Sequence, residues 1–292
     1  MTIEDAIRRA KMLGQARLQR ESVSDVGRPM EAARQRSGTD KGATPTLHHA
    51  PAVKLEPLKT VEISPVACEQ NHVLVLDSQR REFPVADAAY RLLRSRLQNR
   101  LKQNNWFSLA IASPSQSDGK SLTLLNLAVS IAREKLKPVY VLDLDMRNPS
   151  ICRFLGVQDV RPLPEFFRGQ GKPEEYIFQT SIPSLNIAGT LTPASDASEL
   201  LAGPKFGELL AHIRLRSPDA CVLVDLPPIN VTDEALLVGP QVDAFLMVVS
   251  EGMTERTNLA QALHTLAEFT VAGVVLNRSS DSHGVEYTHY PA

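Results

Sequence analysis

From residue 106 onward, six apolar runs alternate with amphipathic segments, and that alternation narrows the architecture sharply. The runs 106–112, 138–143, 185–189, 220–225, 243–249 and 271–277 read as strands. The segments 120–134, 149–155, 198–216, 233–238 and 256–268 read as helices. Strands separated by helical segments imply βαβ units and a parallel sheet covered on both faces. Strands buried on both faces should be nearly continuous in apolar residues, as Ala244 to Val249 and Val271 to Leu276 are. The expected fold is α/β, a doubly wound and mostly parallel sheet. Ligands of such folds bind at the carboxyl ends of the strands.

Three polar boxes stand at those ends. Ser113 to Ser121, ending Asp118-Gly119-Lys120-Ser121, follows the first run. A glycine, lysine and hydroxyl at a strand-to-helix turn suit a polyphosphate. Backbone amides wrap the phosphates, Lys120 reaches the outer oxygens, and Ser121 ligates magnesium. The match to G-x-x-x-x-G-K-S is imperfect, because Pro114 and Ser117 stand where glycines are usual. The second box is Asp143-Leu144-Asp145-Met146-Arg147. Two carboxylates two residues apart at a strand end point the same way. One can hold a magnesium shell while the other accepts a proton; a surface pair or helix cap is the competing reading. The third box, Asp225-Leu226-Pro227-Pro228, adds a carboxylate for magnesium before the prolines turn the chain out of the sheet.

Outside this core the chain changes character. Residues 1–20 read as a short amphipathic helix with Ile3, Ala6, Ile7, Ala10 and Leu13 on one face, either docking on a partner or fraying in solvent. Residues 21–76 are polar and proline-punctuated and read as a flexible linker. A helix over 85–103, with Val85, Ala88, Ala89, Leu92, Leu93 and Leu97 as its apolar positions, opens the globular part, expected over 77–280. Residues 281–292 form a polar tail holding Tyr287 and Tyr290, two of only five tyrosines. A net charge of -1 argues against bulk nucleic-acid binding. Cys68, Cys152 and Cys221 are far apart and read as buried thiols, and the histidines show no ligand spacing. With no span-length apolar stretch and no signal-peptide pattern, the expected location is the cytoplasm.

The boxes resemble those of the bacterial tyrosine kinases that control capsular and exopolysaccharide synthesis. Ser113, Asp118, Gly119, Lys120 and Ser121 match the first family box; Asp143, Asp145 and Arg147 the second; Asp225, Pro227 and Pro228 the third. Smaller echoes are Tyr90 to Arg94, Ser198 to Leu201, Gly252 with Thr254, and Gly273 to Asn277. The resemblance implies a sheet of the P-loop NTPase type, ATP and Mg2+ as cofactors, and autophosphorylation on tail tyrosines. It implies nucleotide contacts from Ser117, Asp118, Gly119, Lys120, Ser121, Leu122 and Arg147, with Asn277 either on the adenine edge or simply ending a strand. Lys120, Asp143 and Asp145 would serve catalysis, with Asp143 the favoured base; Ser121, Asp143 and Asp225 would hold the metal; Tyr287 and Tyr290 would accept phosphate. The implied partners are a membrane-bound polysaccharide chain-length determinant as activator, a cognate tyrosine phosphatase, and further copies through the Arg91/Arg94 helix. Association with the inner face of the plasma membrane would run through the first of these. The departures are Gln116-Ser117 in the loop, Ala88 where the oligomer motif has glutamate, and two tail tyrosines instead of a run. They keep two alternatives open: a nucleotide-binding regulator without turnover, and a positioning ATPase of the chromosome-partitioning class. Ser115 counts against the second, since that class carries a lysine there. Lys120 is expected to be solvent-accessible.

Overall fold

Side chains alternate across every strand, and this alternation sorts the core into two layers. Ala110, Tyr140, Leu142, Val222, Val224, Phe245 and Met247 pack on one face of the sheet. Their neighbours Leu109, Ile111, Val139, Val141, Leu223, Leu246 and Val248 pack on the other. A computed structural model describes residues 55–75 and 84–279 of the chain. Within them lie strands β1 (Lys59–Val61), β2 (Ser108–Ala112), β3 (Val139–Asp143), β4 (Ile177–Thr180), β5 (Leu185–Ala188), β6 (Cys221–Asp225), β7 (Ala244–Ser250) and β8 (Val271–Asn277). They form one sheet in the order β1-β4-β5-β3-β6-β2-β7-β8. Every pairing is parallel except β4 with β5.

The helices are α1 (Pro65–Gln70), α2 (Pro84–Asn104), α3 (Lys120–Ala132), α4 (Ile151–Phe154), α5 (Leu163–Phe167), α6 (Ala197–Leu201), α7 (Lys205–Arg216), α8 (Glu234–Val238) and α9 (Arg256–Thr265). Helix α3 is buried along its length except at Leu122, because the sheet covers one side and α2 the other. Gln98 donates to Glu134 at 2.6 Å, and Arg94 pairs with Glu134 at 3.1 Å, fastening α2 to the end of α3.

The doubly wound, mostly parallel sheet agrees with the sequence, and all six expected strands are present within a residue or two. Three readings need correction. The linker does not run to residue 76: β1 pairs with β4, Ser64 donates its amide to the Leu155 carbonyl at 2.8 Å, and Cys68, Val73 and Leu74 are buried. The helix expected over 198–216 is two helices, because Pro204 provides no amide and Gly203 loosens the turn before it. Helix α2 buries Leu97 and Leu101, while Val85 and Leu92 face out. The expected helix over 1–20, the linker before residue 55, and tail residues Tyr287 and Tyr290 lie outside the described residues. No helix among the described residues is long and apolar enough to cross a membrane.

Candidate active site

The phosphate loop begins where β2 ends and closes at Gly119, whose φ of 87° lies in the left-handed region that glycine enters freely. A Cβ there would meet Asn277 Nδ2 at 2.1 Å, so any other residue would also push the Asn277 side chain from its place against the loop. Ser117 also takes a positive φ of 64°, which places a serine in a conformation that favours glycine. Polar ties hold this turn. Asp118 accepts from the Ser115 amide at 2.9 Å and from the Thr254 hydroxyl at 2.7 Å. Asn277 donates to the Asp118 carbonyl at 2.9 Å, and Asn258 donates to the Ser115 hydroxyl at 3.2 Å. Asn277 therefore sits at the end of β8 as a brace for the loop, and Ser115 is a structural member of it.

Helix α3 starts directly after Gly119, with the Thr123 amide closing its first bond onto the Gly119 carbonyl. The amides of Lys120, Ser121 and Leu122 precede that bond and have no helical acceptor, which makes this helix start an anion site. Leu122 offers only its amide, since its side chain packs into the apolar layer beneath α2.

Parallel pairing puts Asp143 of β3 opposite Asp225 of β6. Both are fully buried. Asp143 accepts from the Ser150 and Ile151 amides through Oδ2, each at 3.0 Å, and Oδ1 has no hydrogen-bond partner among the described residues. Neither oxygen of Asp225 meets hydrogen-bond geometry with a described donor. Burial first, then the Asp225 charge, push the Asp143 carboxyl up to about 8, against the pull of the Ile151 amide, Lys120 and the Ser150 amide. Burial likewise raises Asp225, opposed by Lys120 and by Ser121 beside it.

Lys120 does not extend into solvent, contrary to expectation. Its ammonium lies 2.7 Å from Asp145 Oδ2, 3.1 Å from the Ser121 hydroxyl and 3.6 Å from Asp225 Oδ1. Burial pushes its pKa down, but Asp225, Asp145 and Asp143 together outweigh burial and hold it above an ordinary lysine. One buried cation thus faces three carboxylates, which is why it is drawn inward.

The donor set suits a hard divalent cation. Ser121 offers a hydroxyl, and Asp143 and Asp225 offer unpartnered carboxylate oxygens. Among the described residues no group of three acidic, histidine or cysteine side chains is arranged to hold a metal ion by itself. Magnesium asks for less from the protein, since it takes one or two carboxylates and keeps waters and substrate phosphates in the rest of its octahedron.

Arg147, expected among the nucleotide contacts, turns to a neighbouring carboxylate in this structure. Its side chain donates to Glu234 Oε1 at 3.1 Å and to the Ser198 hydroxyl at 3.1 Å, so its charge is spent on a buried carboxylate. Of the Arg91/Arg94 pair only Arg94 turns inward, onto Glu134 and the Ser130 carbonyl, while Arg91 stays exposed and pairs with Asp87 of its own helix at 3.2 Å. Sequence reading missed Glu234, Ser198 as its partner, and the bracing role of Thr254. Only the arrangement of loops far apart in the chain reveals them.

Residues 107–282 match the family described as NUBPL iron-transfer P-loop NTPase, of the ParA type. The tyrosine-protein kinase CpsD of Streptococcus agalactiae serotype Ia is 24% identical over 211 residues, covering 71% of this chain and 89% of that protein. The tyrosine-protein kinase YwqD of Bacillus subtilis is 27% identical over 205 residues, covering 69% of this chain and 84% of its own length. The kinase domain of the Escherichia coli tyrosine kinase ETK superimposes with a TM-score of 0.61 at 22% identity, over 78% of this chain and 94% of that domain. At that identity the structural likeness speaks for the fold.

Proposed function

The chain belongs to the ParA-type P-loop NTPases and is a member of the bacterial tyrosine kinase family, and from that premise we propose that it is an ATP- and magnesium-dependent protein-tyrosine autokinase of exopolysaccharide or capsule assembly. The observation that carries the proposal is the meeting of Lys120 with Asp143 and Asp225 at the carboxyl ends of paired strands. The relatives' names supply the acceptor, a protein tyrosine.

In this reading the loop amides and the first turn of α3 bind the β-phosphate, and Lys120 leaves Asp145 to reach the outer phosphate oxygens. Ser121 and Asp225 would hold magnesium, with Asp143 beside them. Magnesium, when bound, neutralises charge on the phosphate oxygens. Asp143, poised near neutrality by burial, receives the proton of the tyrosine hydroxyl. The phenolic oxygen forms a bond to the γ-phosphorus as the bond to the bridging oxygen breaks and ADP departs. Positioning and charge stabilisation supply most of the acceleration in such transfers.

A membrane-bound chain-length determinant would act as the activating partner, with a tyrosine phosphatase reversing the modification. The working place would be the cytoplasmic face of the membrane. Incubation with labelled ATP and magnesium, with and without the partner's cytoplasmic segment, tests the proposal. Phosphotyrosine on the chain supports it. Hydrolysis without phosphotyrosine would instead mark a positioning ATPase, and nucleotide binding with neither would mark a regulator.

A further inference from the structure

The segment 59–75 lies before the residues that match the family, 107–282, yet it is fastened to both halves of the nucleotide site from behind. Its apolar side chains Ile63, Cys68 and Val73 join the layer that Leu124, Leu127 and Ile151 also form. Its polar ties converge on Asn126 of α3, a side chain 3% exposed and six residues past Lys120. We propose that residues 59–75 are a strap that sets how tightly the site holds nucleotide, and that Asn126 is the positioning residue through which they act. The proposal rests on the nucleotide reading of that site and adds a control element to it.

Three observations carry it. First, Asn126 uses both ends of its amide on the strap backbone. Its Oδ1 accepts from the Leu74 amide at 2.7 Å, and its Nδ2 donates to the His72 carbonyl at 3.1 Å. A side-chain amide of this length offers an acceptor and a donor side by side, whereas aspartate or leucine would leave a backbone group unpaired. His72 takes a positive φ of 57°, a conformation that a non-glycine residue keeps only where its surroundings fix it. The strap is thus held in a shape that α3 dictates, and α3 in a place that the strap dictates.

Second, the grip is repeated along α3. Arg133, seven residues on and so on the same face, donates to the Leu74 carbonyl and pairs with Asp87 of α2 at 2.9 Å. The Tyr90 hydroxyl of α2 lies beside Asn126 and Thr123. Thr123 makes the first helical bond of α3, onto Gly119. Movement of the strap at Leu74 therefore reaches the turn that offers its amides to phosphate. That turn has no side-chain cap of its own, so the packing behind it decides where its amides stand.

Third, the strap also holds the carboxylate side. Its Ser64 amide donates to the Leu155 carbonyl at 2.8 Å, directly after α4, whose cap and first amides hold Asp143. Gly156 follows, and a Cβ there would come within 2.5 Å of the Ser64 side chain. One short backbone segment is therefore in close contact behind both the phosphate amides and Asp143.

The test uses full-length protein with magnesium-ADP as the probe, its Kd read by calorimetry. Asn126→Ala should raise that Kd about tenfold, because small displacements of positioned groups are costly in such sites. Arg133→Met, at the far end of α3 from the phosphates, should raise it about fivefold and carries the test if Asn126→Ala does not fold. Leu215→Ser, exposed on α7, should leave it in place. Coupling is reciprocal, so magnesium-ADP should slow hydrogen exchange at the Leu74 amide about fivefold more than at amides of α7. Arg133→Met should abolish that difference. A parent protein that binds no magnesium-ADP overturns the nucleotide reading and the strap with it. Parental Kd in folded Arg133→Met, with equal slowing of exchange at Leu74 and α7, would leave the nucleotide site standing and reduce the strap to a merely structural cover.

Discussion

Lys120 shows how one residue acquires two duties. Among the described residues it is the cation that faces the three buried carboxylates and offsets part of their charge, and the same position brings it to the phosphates. Removing one partner of a buried ionic cluster costs about 3–5 kcal/mol because the charges left behind are uncompensated. Lys120→Met should therefore abolish phosphate transfer and also lower the melting temperature, by more at pH 8 than at pH 5, where the carboxylates can take up protons. Equal melting curves for mutant and wild type would mean the cluster is not coupled as its geometry requires. Asp143 gives the complementary experiment. Its folded pKa, about 8, lies above the ordinary 3.8, so its contribution to stability is full below the ordinary value and is lost as pH rises towards 8. Asp143→Asn keeps an acceptor for the Ser150 and Ile151 amides and places a donor opposite Asp225. In magnesium-free buffer it should raise the melting temperature at pH 8, leave it nearly unchanged at pH 4, and eliminate transfer. A flat difference between mutant and wild type across that range would remove the like-charge interpretation.

At the scale of elements, the phosphate loop keeps its shape without the glycines expected at two of its positions. Ser117 takes the left-handed conformation at a cost of roughly 1–2 kcal/mol for a non-glycine residue. The Asp118–Thr254 and Asn277–Asp118 ties offset it. Ser117→Gly should stabilise the protein by up to about 1 kcal/mol, since glycine's own backbone entropy loss cancels part of the relief. Chemical denaturation checks this, and a destabilised mutant would show that the serine side chain has a role of its own. The three boxes were legible because each is local: a strand, a turn and a few polar residues in consecutive order. The Thr254 brace was not, since it joins residues 136 apart. Strands β1 and β4, three and four residues long, are too short to show a period, and β4 enters antiparallel where alternation with helices predicted parallel neighbours. The buried face of α2 was misjudged because Asp87 and Arg94 join the face that meets α3, so charge patterning concealed the packed side.

For the whole molecule, the open matter is how copies meet. Arg94, expected to face a neighbour, is instead tied to Glu134 and Ser130 of its own chain. Arg94→Ala should thus lower protomer stability by about 1–3 kcal/mol, the usual cost of stripping a charged hydrogen bond, with sedimentation unchanged apart from any unfolding. A clean shift to smaller species in a fully stable mutant would restore the arginine to an interface. In the kinase reading, autophosphorylation between copies requires an encounter of two chains. Mixing Lys120→Met protein, which has an acceptor tail and no transfer, with the Tyr287→Phe/Tyr290→Phe protein, which transfers and has no tail acceptor, isolates that encounter. Phosphate found by mass spectrometry on Tyr287 or Tyr290 of the Lys120→Met chain establishes transfer between copies. Its rate should rise with the concentration of the active chain. Phosphate on the wild-type tail alone, absent from the mixture at every concentration, would confine the reaction to a single chain and rule out transfer between copies.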